Sequence, residues 1–290
     1  MVKKKILITG ARGFIASNLI NSLDKKTYSL YLTSTKNIKN KIYKYIIIKK
    51  KKDFSKLSKF KFDYVINLHG SIKFDNYNKI YDNHFKFNKN LIENINYKSI
   101  KKFIHIGSAN EYGQTIKGYD KKYIREKPTD YYGKVKLMTS NLVKDFCFKK
   151  NIPIVILRIF HTYGYNQRQP RLIPYLINCI KNNKIASVNN FNVKKSYVHI
   201  DDICKIIKIV LTKNMKSITY NLSTTKPIKM IDILKYLNKE FKLDYKSNQN
   251  INNTQYLQRS RINYEINLKY KNFYTEIKKI FLFHLNNKNS

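Results

Sequence analysis

The feature that most constrains the fold is the segment at residues 3–16, KKKILITGARGFIA. Residues 6–9 are short, apolar and β-branched, which is typical of a parallel strand covered on both faces. Gly10 ends this run and can adopt backbone angles closed to other residues, and Gly13 removes a side chain where a bound phosphate would be blocked. A helix over residues 14–23 would point its free N–H groups at that phosphate. The segment therefore predicts a dinucleotide-binding turn.

The spacing of this turn leaves an alternative open. It reads G-x-x-G-x-x-A, so one glycine of the usual dinucleotide fingerprint is absent and Ala16 takes the close-packing position. A P-loop is excluded, because no Gly-Lys-Ser/Thr follows at the required distance. The alternative is a plain strand, turn and helix of an α/β protein, and only residues further along the chain can decide.

Short apolar strands alternate with helical segments as far as about residue 160, which predicts an α/β fold with a doubly wound parallel sheet (Rossmann). The later strands are predicted at residues 28–32, 45–48, 63–68, 103–106 and 152–160, and the helices at residues 83–95, 132–148, 172–181, 201–211 and 230–241. The looser pattern after residue 160 indicates a smaller C-terminal substrate lobe over the carboxyl ends of the strands. We expect a dinucleotide-binding Rossmann domain at residues 1–165 and a substrate-binding lobe, interleaved with it, at residues 166–290.

The charge balance is the most unusual feature of the composition, with 58 Lys and Arg against 18 Asp and Glu and a net charge of +40. Clustered Lys and Arg would indicate a nucleic-acid partner. Lysine is instead spread along the whole chain among Asn, Ile, Tyr and Phe, residues with A/T-rich codons, so we expect no specific nucleic acid. The three cysteines lie far apart in apolar stretches, without metal or disulfide spacing. With no signal peptide and no apolar run of spanning length, we expect no membrane partner and a cytoplasmic location.

The second strand bears on the choice of cofactor. NAD-binding sheets commonly place an acidic residue about 20 residues after the glycine turn, but here only hydroxyl and basic side chains follow the strand. These groups would suit a 2′-phosphate, which favours NADP (NADPH) and leaves NAD possible. Asp53 and Phe54 could contact adenine, although Asp53 could equally be only a helix N-cap. The candidates at this end of the site are Arg12, Thr33, Ser34, Lys36, Asp53 and Phe54.

The candidate catalytic set is Ser108, Tyr132 and Lys136. Tyr-x-x-x-Lys recurs in this Tyr- and Lys-rich chain, but only the copy at residues 132–136 opens a long helix, where positions i and i+4 share a face. The alternative is a surface tyrosine beside a solvated lysine. A tyrosine of pKa about 10 is a poor acid at neutral pH, and a nearby ammonium favours its phenolate. Lys136 could supply that charge and bind the nicotinamide ribose, while Ser108 could orient the reacting oxygen.

Five ordered motifs carry a family resemblance. They are TGARGFI at residues 9–15, GSANEYG at 107–113, YGKVK at 132–136, LRIFHTYG at 157–164 and YVHIDD at 197–202. The chain resembles the extended short-chain dehydrogenases/reductases, NAD(P)-dependent oxidoreductases that include nucleotide-sugar epimerases, dehydratases and reductases. The resemblance implies cofactor binding by Gly10, Gly13, Phe14, Ile15 and Lys136, catalysis by Ser108, Tyr132 and Lys136, and substrate binding by Ser108, Asn110, His161, Arg171 and Lys195. For His161, ordinary loop packing is an equal alternative. It also implies a homodimer, a nucleotide-sugar substrate, a role in cell-surface polysaccharide biosynthesis and no metal.

The resemblance leaves the reaction to be chosen. The dehydratase branch resembles Thr-Asp-Glu where this chain has Ser108, Ala109 and Asn110, with Glu111 displaced by one position, so dehydration is disfavoured. We expect an NADPH-dependent reductase of the C4 ketone of a nucleotide-linked (deoxy)hexose, and an NAD-dependent 4-epimerase is the alternative. A non-catalytic nucleotide- or nucleic-acid-binding protein is a third hypothesis, suggested by the net charge and opposed by the catalytic set.

Overall fold

The central feature of the fold is a parallel sheet in which seven strands of the described chain lie in the order β11-β6-β5-β4-β1-β2-β3. A computed structural model describes residues 2–36, 38, 42–71, 76–113, 125–216, 218–247, 254–256 and 260–287. The sheet strands are β1 Lys4–Thr9, β2 Tyr28–Ser34, β3 Lys44–Ile47, β4 Tyr64–Asn67, β5 Lys102–Ser108, β6 Ile154–Ile159 and β11 Thr219–Leu222. The predicted α/β class with a doubly wound sheet is confirmed.

The strands form where the sequence has short apolar runs, because both faces of the sheet are covered. Ile6, Leu7 and Ile8 of β1 are all 0 % exposed. One boundary differs from the prediction: β2 extends to Ser34, since Thr33 and Ser34 pair with Ile46 and Ile47 of β3. Pairing with a neighbouring strand is a tertiary effect that the local pattern at residues 28–32 does not contain.

The helices follow the predicted alternation with one notable difference. They are α1 Phe14–Ser22, α2 Tyr77–Tyr81, α3 Phe87–Asn94, α4 Tyr131–Lys149, α5 Leu172–Lys181, α6 Ile200–Thr212, α7 Met230–Phe241, α8 Arg261–Glu265 and α9 Phe273–Asn286. The prediction over residues 83–95 was wrong at its start, because α2 already begins at Tyr77, where Asn76 caps it by accepting a hydrogen bond from the Lys79 N–H. A π-turn at Asp82–Lys86 joins α2 to α3.

The described chain falls into two compact units that alternate along the sequence. The first holds Met1–Gly113, Glu126–Arg158 and Cys204–Tyr220, and the second holds Ile159–Ile203 and Asn221–Ser290. In the first unit, strand residues such as Leu7, Val65 and Phe103 pack with helix residues such as Leu91 and Val143 in one buried cluster. Each unit is therefore assembled from chain segments that are separated in the sequence.

The second unit contains three two-stranded sheets around its own core. They pair β7 His161–Tyr163 with β10 Tyr197–His199, β8 Ala186–Val188 with β13 Tyr245–Ser247, and β9 Lys194–Lys195 with β12 Ile228–Lys229. The tail after residue 243, which has no structure assigned from the sequence, contains α9. Asn272 caps this helix, and Phe273, Ile277, Ile280 and Phe281 recur at helical spacing and are buried. In the described ranges, no helix has the length and apolar character needed to cross a bilayer.

Candidate active site

The glycine turn after β1 is built by close backbone approach. Gly10 has φ +66°, and a Cβ there would lie 2.9 Å from the His69 Cα, so only glycine fits. The Gly10 N–H donates to the Thr33 Oγ1 at 3.1 Å, and the Ala11 N–H donates to the Thr33 carbonyl at 3.2 Å. The turn is thereby fastened to the end of β2. Thr33 is 2 % exposed, so its hydroxyl stabilises the turn from within the protein.

The start of α1 is suited to an anionic group. Gly13 is its N-cap in an extended conformation, with no side-chain cap and no acidic residue in the first turn. A Cβ on Gly13 would meet the Gly10 carbonyl at 3.2 Å, so the backbone is kept bare at this point. Helix N-terminal N–H groups that lack a side-chain acceptor attract phosphate oxygens. Gly10, Gly13, Phe14 and Ile15 therefore fit the diphosphate of a dinucleotide.

Side chains around the end of β2 divide into buried and exposed groups. Ser34 is buried and its Oγ accepts the Lys36 N–H at 3.1 Å, whereas the side chains of Arg12 and Lys36 are exposed and basic. The Asp53 carboxylate accepts from the Lys56 ammonium at 2.8 Å and from two backbone N–H groups. These hydrogen bonds, led by the one from Lys56, lower the pKa of Asp53. The carboxylate thus caps the start of the 3-10 helix Lys51–Lys59 by accepting from the backbone N–H groups of Lys49 and Lys50.

Phe54, the neighbouring adenine candidate, lies in the core of the first unit. It is 4 % exposed, and its ring packs edge-on against that of Phe87 at a centroid distance of 5.1 Å. The His69 ring stacks on the ring of Phe87, with 3.5 Å between the two centroids. The Phe54 ring is therefore part of the core and does not present a surface to a ligand.

The Ser108 turn is locked directly against the helix that carries Tyr132 and Lys136. Asp130 caps α4 by accepting the Gly133 N–H at 2.6 Å, and its second oxygen accepts from the Asn110 Nδ2 at 3.1 Å. A Cβ on Gly133 would lie 2.3 Å from the Asn110 carbonyl oxygen. Glycine at this position therefore lets the turn that follows Ser108 pack on the first turn of α4, next to Tyr132.

Lys136 points into the first unit beneath β5. It is 4 % exposed, and its Nζ donates to the Ile106 carbonyl at 2.6 Å. Burial lowers the pKa of Lys136 to about 8, an effect that Glu111 opposes and Arg158 reinforces. Because Ile106 lies two residues before Ser108 on the same strand, this hydrogen bond links the lysine to the strand end that presents the serine.

Glu111 lies in a buried ion pair rather than at an open surface. Its Oε2 accepts from the Arg158 Nε at 2.7 Å, and its Oε1 accepts from the Ser108 N–H at 2.8 Å and the Ser140 hydroxyl at 3.1 Å. Glu111 is 0 % and Arg158 3 % exposed. Both carboxylate oxygens are thus engaged in holding the Ser108 turn, α4 and β6 together.

Within the second unit, three sequence-predicted substrate residues lie near one another. Lys195 is in β9 and pairs by backbone with Gln255, while Arg171 is the N-cap of α5. Partial burial and, to a smaller extent, the Arg171 charge lower the pKa of Lys195 to about 8. Burial also lowers the pKa of His161, with contributions from Lys195 and Arg171. The three side chains therefore share one electropositive region.

Three contributors to the site were not found from the sequence. Asp130 stands directly before the α4 pattern, and an aspartate at that position is a local signal for an N-cap that was missed. The pairing of Glu111 with Arg158 spans 47 positions and has no local signal. His84, whose ring lies 5.4 Å from that of Tyr132, sits in a π-turn that helical periodicity does not anticipate. In the part of the chain that the structure describes, no metal-binding cluster of three His, Cys, Asp or Glu side chains occurs.

The family comparison agrees with this geometry. The model of the NAD dependent epimerase/dehydratase family matches residues 6–223, which is most of the chain. The chain belongs to this family. The predicted membership in the extended short-chain dehydrogenases/reductases is thereby confirmed, and the homologues and structural neighbours of the chain are NAD-dependent nucleotide-sugar enzymes.

Individual relatives are distant. The chain is 28 % identical over 268 residues to a dTDP-D-glucose 4,6-dehydratase of Dictyostelium discoideum, covering 80 % of the chain and 61 % of that protein. It is 27 % identical over 276 residues to a trifunctional UDP-glucose 4,6-dehydratase/UDP-4-keto-6-deoxy-D-glucose 3,5-epimerase/UDP-4-keto-L-rhamnose-reductase of Arabidopsis thaliana, covering 83 % of the chain and 40 % of the relative. The chain thus spans less than two thirds of the length of these curated relatives.

A solved structure shows the same fold. The UDP-glucuronic acid 4-epimerase of Bacillus cereus, solved with UDP-glucuronic acid and NAD, aligns with a TM-score of 0.85 at 22 % identity, over 97 % of this chain and 99 % of that one. At this identity the likeness establishes the architecture. The choice of reaction depends on the residues of this chain.

Proposed function

We propose that the protein is an NADPH-dependent reductase of the C4 ketone of a nucleotide-linked (deoxy)hexose. The observation that carries the proposal is the state of Glu111, whose two oxygens are engaged by Arg158, Ser108 and Ser140. These contacts disfavour Glu111 as the acid or base that elimination of water from a sugar would need. Ser108, Tyr132 and Lys136 remain the chemically available groups, and they suffice for transfer of a hydride and a proton.

The proposed reaction needs little from the protein beyond proton transfer and positioning. The bound nicotinamide would supply the hydride to the carbonyl carbon. Tyr132 would give its phenolic proton to the ketone oxygen, so that the ketone becomes an alcohol and the tyrosine a phenolate. The Lys136 ammonium stabilises that phenolate by its charge, and the Ser108 hydroxyl would orient the reacting oxygen.

The preference for NADPH rests on the charge around the end of β2. The sequence has no Asp or Glu from residue 25 to residue 52. A ribose diol in this region would therefore lack the usual carboxylate partner, whereas a 2′-phosphate could be met by the exposed side chains of Arg12 and Lys36. Thr33 and Ser34 would support this region from within, because their buried hydroxyls accept the Gly10 and Lys36 N–H groups.

For the substrate, we propose that Lys195 and Arg171 bind the diphosphate. Two neighbouring, partly buried cations repel each other, and a ligand with two negative charges would relieve that repulsion. His161, in the same electropositive region, and Asn110, next to Ser108, are the proposed contacts to the sugar.

The decisive experiment combines purified protein with NADPH and, separately, 4-keto-6-deoxyhexoses linked to CDP, GDP, UDP and dTDP. We expect loss of NADPH absorbance with one of them and formation of the reduced sugar nucleotide, and no such loss with the Tyr132→Phe variant. An NAD-dependent 4-epimerase would use the same three residues. Near-stoichiometric NAD released from denatured protein, with interconversion of sugar nucleotides and no net redox, would favour that epimerase over the reductase.

We also propose a homodimer through α2 and α4. Tyr77 and Tyr131 are 67 % and 36 % exposed, and their rings pack against each other with centroids 4.7 Å apart. Met138, on α4, is 45 % exposed. Exposed apolar side chains that recur on neighbouring helices are typical of an interface between copies. Light scattering of the wild type and of Tyr77→Lys/Met138→Lys should give a dimer and a monomer, respectively.

A further inference from the structure

His84 is a buried polar side chain beside the proposed catalytic residues that no step of the proposed reaction uses. It is 3 % exposed and lies in the π-turn between α2 and α3. Its ring meets the Tyr132 ring edge to face, with a centroid distance of 5.4 Å and an interplanar angle of 77°. π-turns within helices occur frequently at functional sites, since the extra residue redirects a side chain.

The hydrogen bonds of the ring define its tautomer. The Nε2 atom lies 3.0 Å from the Ser71 carbonyl oxygen, and a carbonyl can only accept, so Nε2 carries the proton. Nδ1 is then a lone-pair acceptor. Nδ1 is buried, and within the described residues it has no hydrogen-bond partner. A buried acceptor without a donor is costly, which requires an explanation in a site of this kind.

The surroundings reserve space for this ring and keep it neutral. A Cβ on Gly70 would lie 2.3 Å from the His84 Cε1 and 2.7 Å from Nδ1, so glycine at position 70 admits the imidazole. Burial, followed by the charge of Lys136, lowers the pKa of His84 to about 3. His84 is therefore an acceptor at physiological pH and takes no part as an acid.

We propose that the His84 Nδ1 is a ligand-binding acceptor that receives a hydrogen bond from a ligand hydroxyl next to Tyr132 and Lys136. The Lys136 Nζ donates to the Ile106 carbonyl, and in the described structure no hydrogen bond joins Nζ to the His84 Nδ1. An anionic group would be repelled by the lone pair, whereas a hydroxyl can donate to it. The inference rests on the proposed function, under which two ligands carry hydroxyls: the ribose of the cofactor and the hexose of the substrate.

Two substitutions test the roles of the two ring nitrogens separately. His84→Asn places an amide oxygen near the position of Nδ1 and gives up the bond to Ser71. His84→Gln can place its amide N–H near the position of Nε2, retaining the bond to Ser71, and provides no acceptor at Nδ1. A purely structural role for His84 predicts that the glutamine variant is the better replacement. A ligand-binding role predicts the reverse.

The measurements are the Kd for NADPH, by fluorescence titration without substrate, and the KM for the sugar nucleotide, each with a melting curve. We expect His84→Gln to weaken one of them about 5- to 20-fold while His84→Asn stays within about threefold of wild type. A change in Kd identifies the cofactor ribose as the donor, and a change confined to KM identifies the sugar.

Equal Kd and KM in wild type and His84→Gln, with both proteins folded, would overturn the proposal. So would a larger loss in His84→Asn than in His84→Gln. Both results leave the reductase proposal intact, provided that wild type consumes NADPH. Conversely, a split in NADPH affinity between the two variants supports the role of His84 even if wild type reduces none of the sugars, which would contradict the reductase alone.

Discussion

The cations of the two units differ in the partners that surround them. In the first, Arg158 is paired with Glu111, Lys136 donates to the Ile106 carbonyl, and Lys102 donates to the carbonyls of Val210 and Lys213 at 2.9 and 2.7 Å. In the second, the charge that acts on Lys195 is that of Arg171, another cation. No carboxylate of the described chain forms a salt bridge with Lys195.

Under the proposed function, this difference separates charges that maintain the fold from charges that would bind a ligand. A buried cation that has hydrogen bonds and a counter-ion is part of the structure, and breaking the pair leaves an uncompensated charge. A partly buried cation beside a second cation has a lowered pKa and is a favourable partner for an incoming anion. We therefore expect substitutions in the first unit to reduce stability and those at Lys195 to reduce binding.

Removing the arginine of the buried pair should have the largest effect. We expect Arg158→Met to lower the free energy of unfolding by about 3–5 kcal/mol, because it leaves the Glu111 carboxylate buried and unpaired. Urea denaturation measures this. The matched control is the double variant Glu111→Leu/Arg158→Met, which should recover most of the loss, since it removes both charges of the pair. A loss below about 1 kcal/mol in Arg158→Met would mean that the pair is not structural.

Tyr132 tests whether the first unit also holds the chemistry. We expect Tyr132→Phe to lower kcat about 10²- to 10⁴-fold by removing the proton donor, while the phenyl ring keeps its packing against His84. Tyr131→Phe, one residue earlier on an exposed position, is the matched control and should retain activity. Equal kcat values for Tyr132→Phe and wild type would contradict the role of Tyr132 as the proton donor.

Lys195 tests the second unit. We expect Lys195→Met to weaken binding of inorganic pyrophosphate and of the sugar nucleotide about tenfold, and to leave the free energy of unfolding unchanged or raised by about 1 kcal/mol. Calorimetric titration and urea denaturation report the two effects. Lys184→Met, at an exposed position of the same unit, should change neither. Destabilisation by Lys195→Met comparable to that by Arg158→Met would erase the contrast between the units.

The smallest expected effect is in the pH dependence of stability. The pKa of Lys195 is about 8 in the folded protein and 10.5 ordinarily. Between these values the unfolded chain holds the proton that the folded chain has lost, so the free energy of unfolding rises with pH. Across this window we expect the free energy of unfolding of wild type to rise by about 1 kcal/mol relative to that of Lys195→Met. This value is smaller than the full pKa shift would give, because the side chain is partly exposed. A constant difference between their urea midpoints would contradict the lowered pKa.

Much of the fold was predictable because the deciding interactions are local. The apolar runs at β1, β4, β5 and β6 are short and bounded by polar or glycine residues, as strands buried on both faces are. Helices α5 and α7 begin and end at the predicted residues, since their apolar spacing is unambiguous. Helix α9 carries the same kind of signal, but the polar residues before it dominate the tail, and no helix is predicted there from the sequence.

For the candidate site, the sequence by itself determined the residue types and their order along the chain: the glycine turn, the serine at a strand end, and a tyrosine and lysine one turn apart on a helix. Tertiary structure alone decided which of the other groups are free to react. Glu111 is engaged by Arg158, 47 positions away, and His84 is turned toward Tyr132 by a π-turn. Hydrogen bonding and burial depend on neighbours that folding brings together, and no local pattern records them.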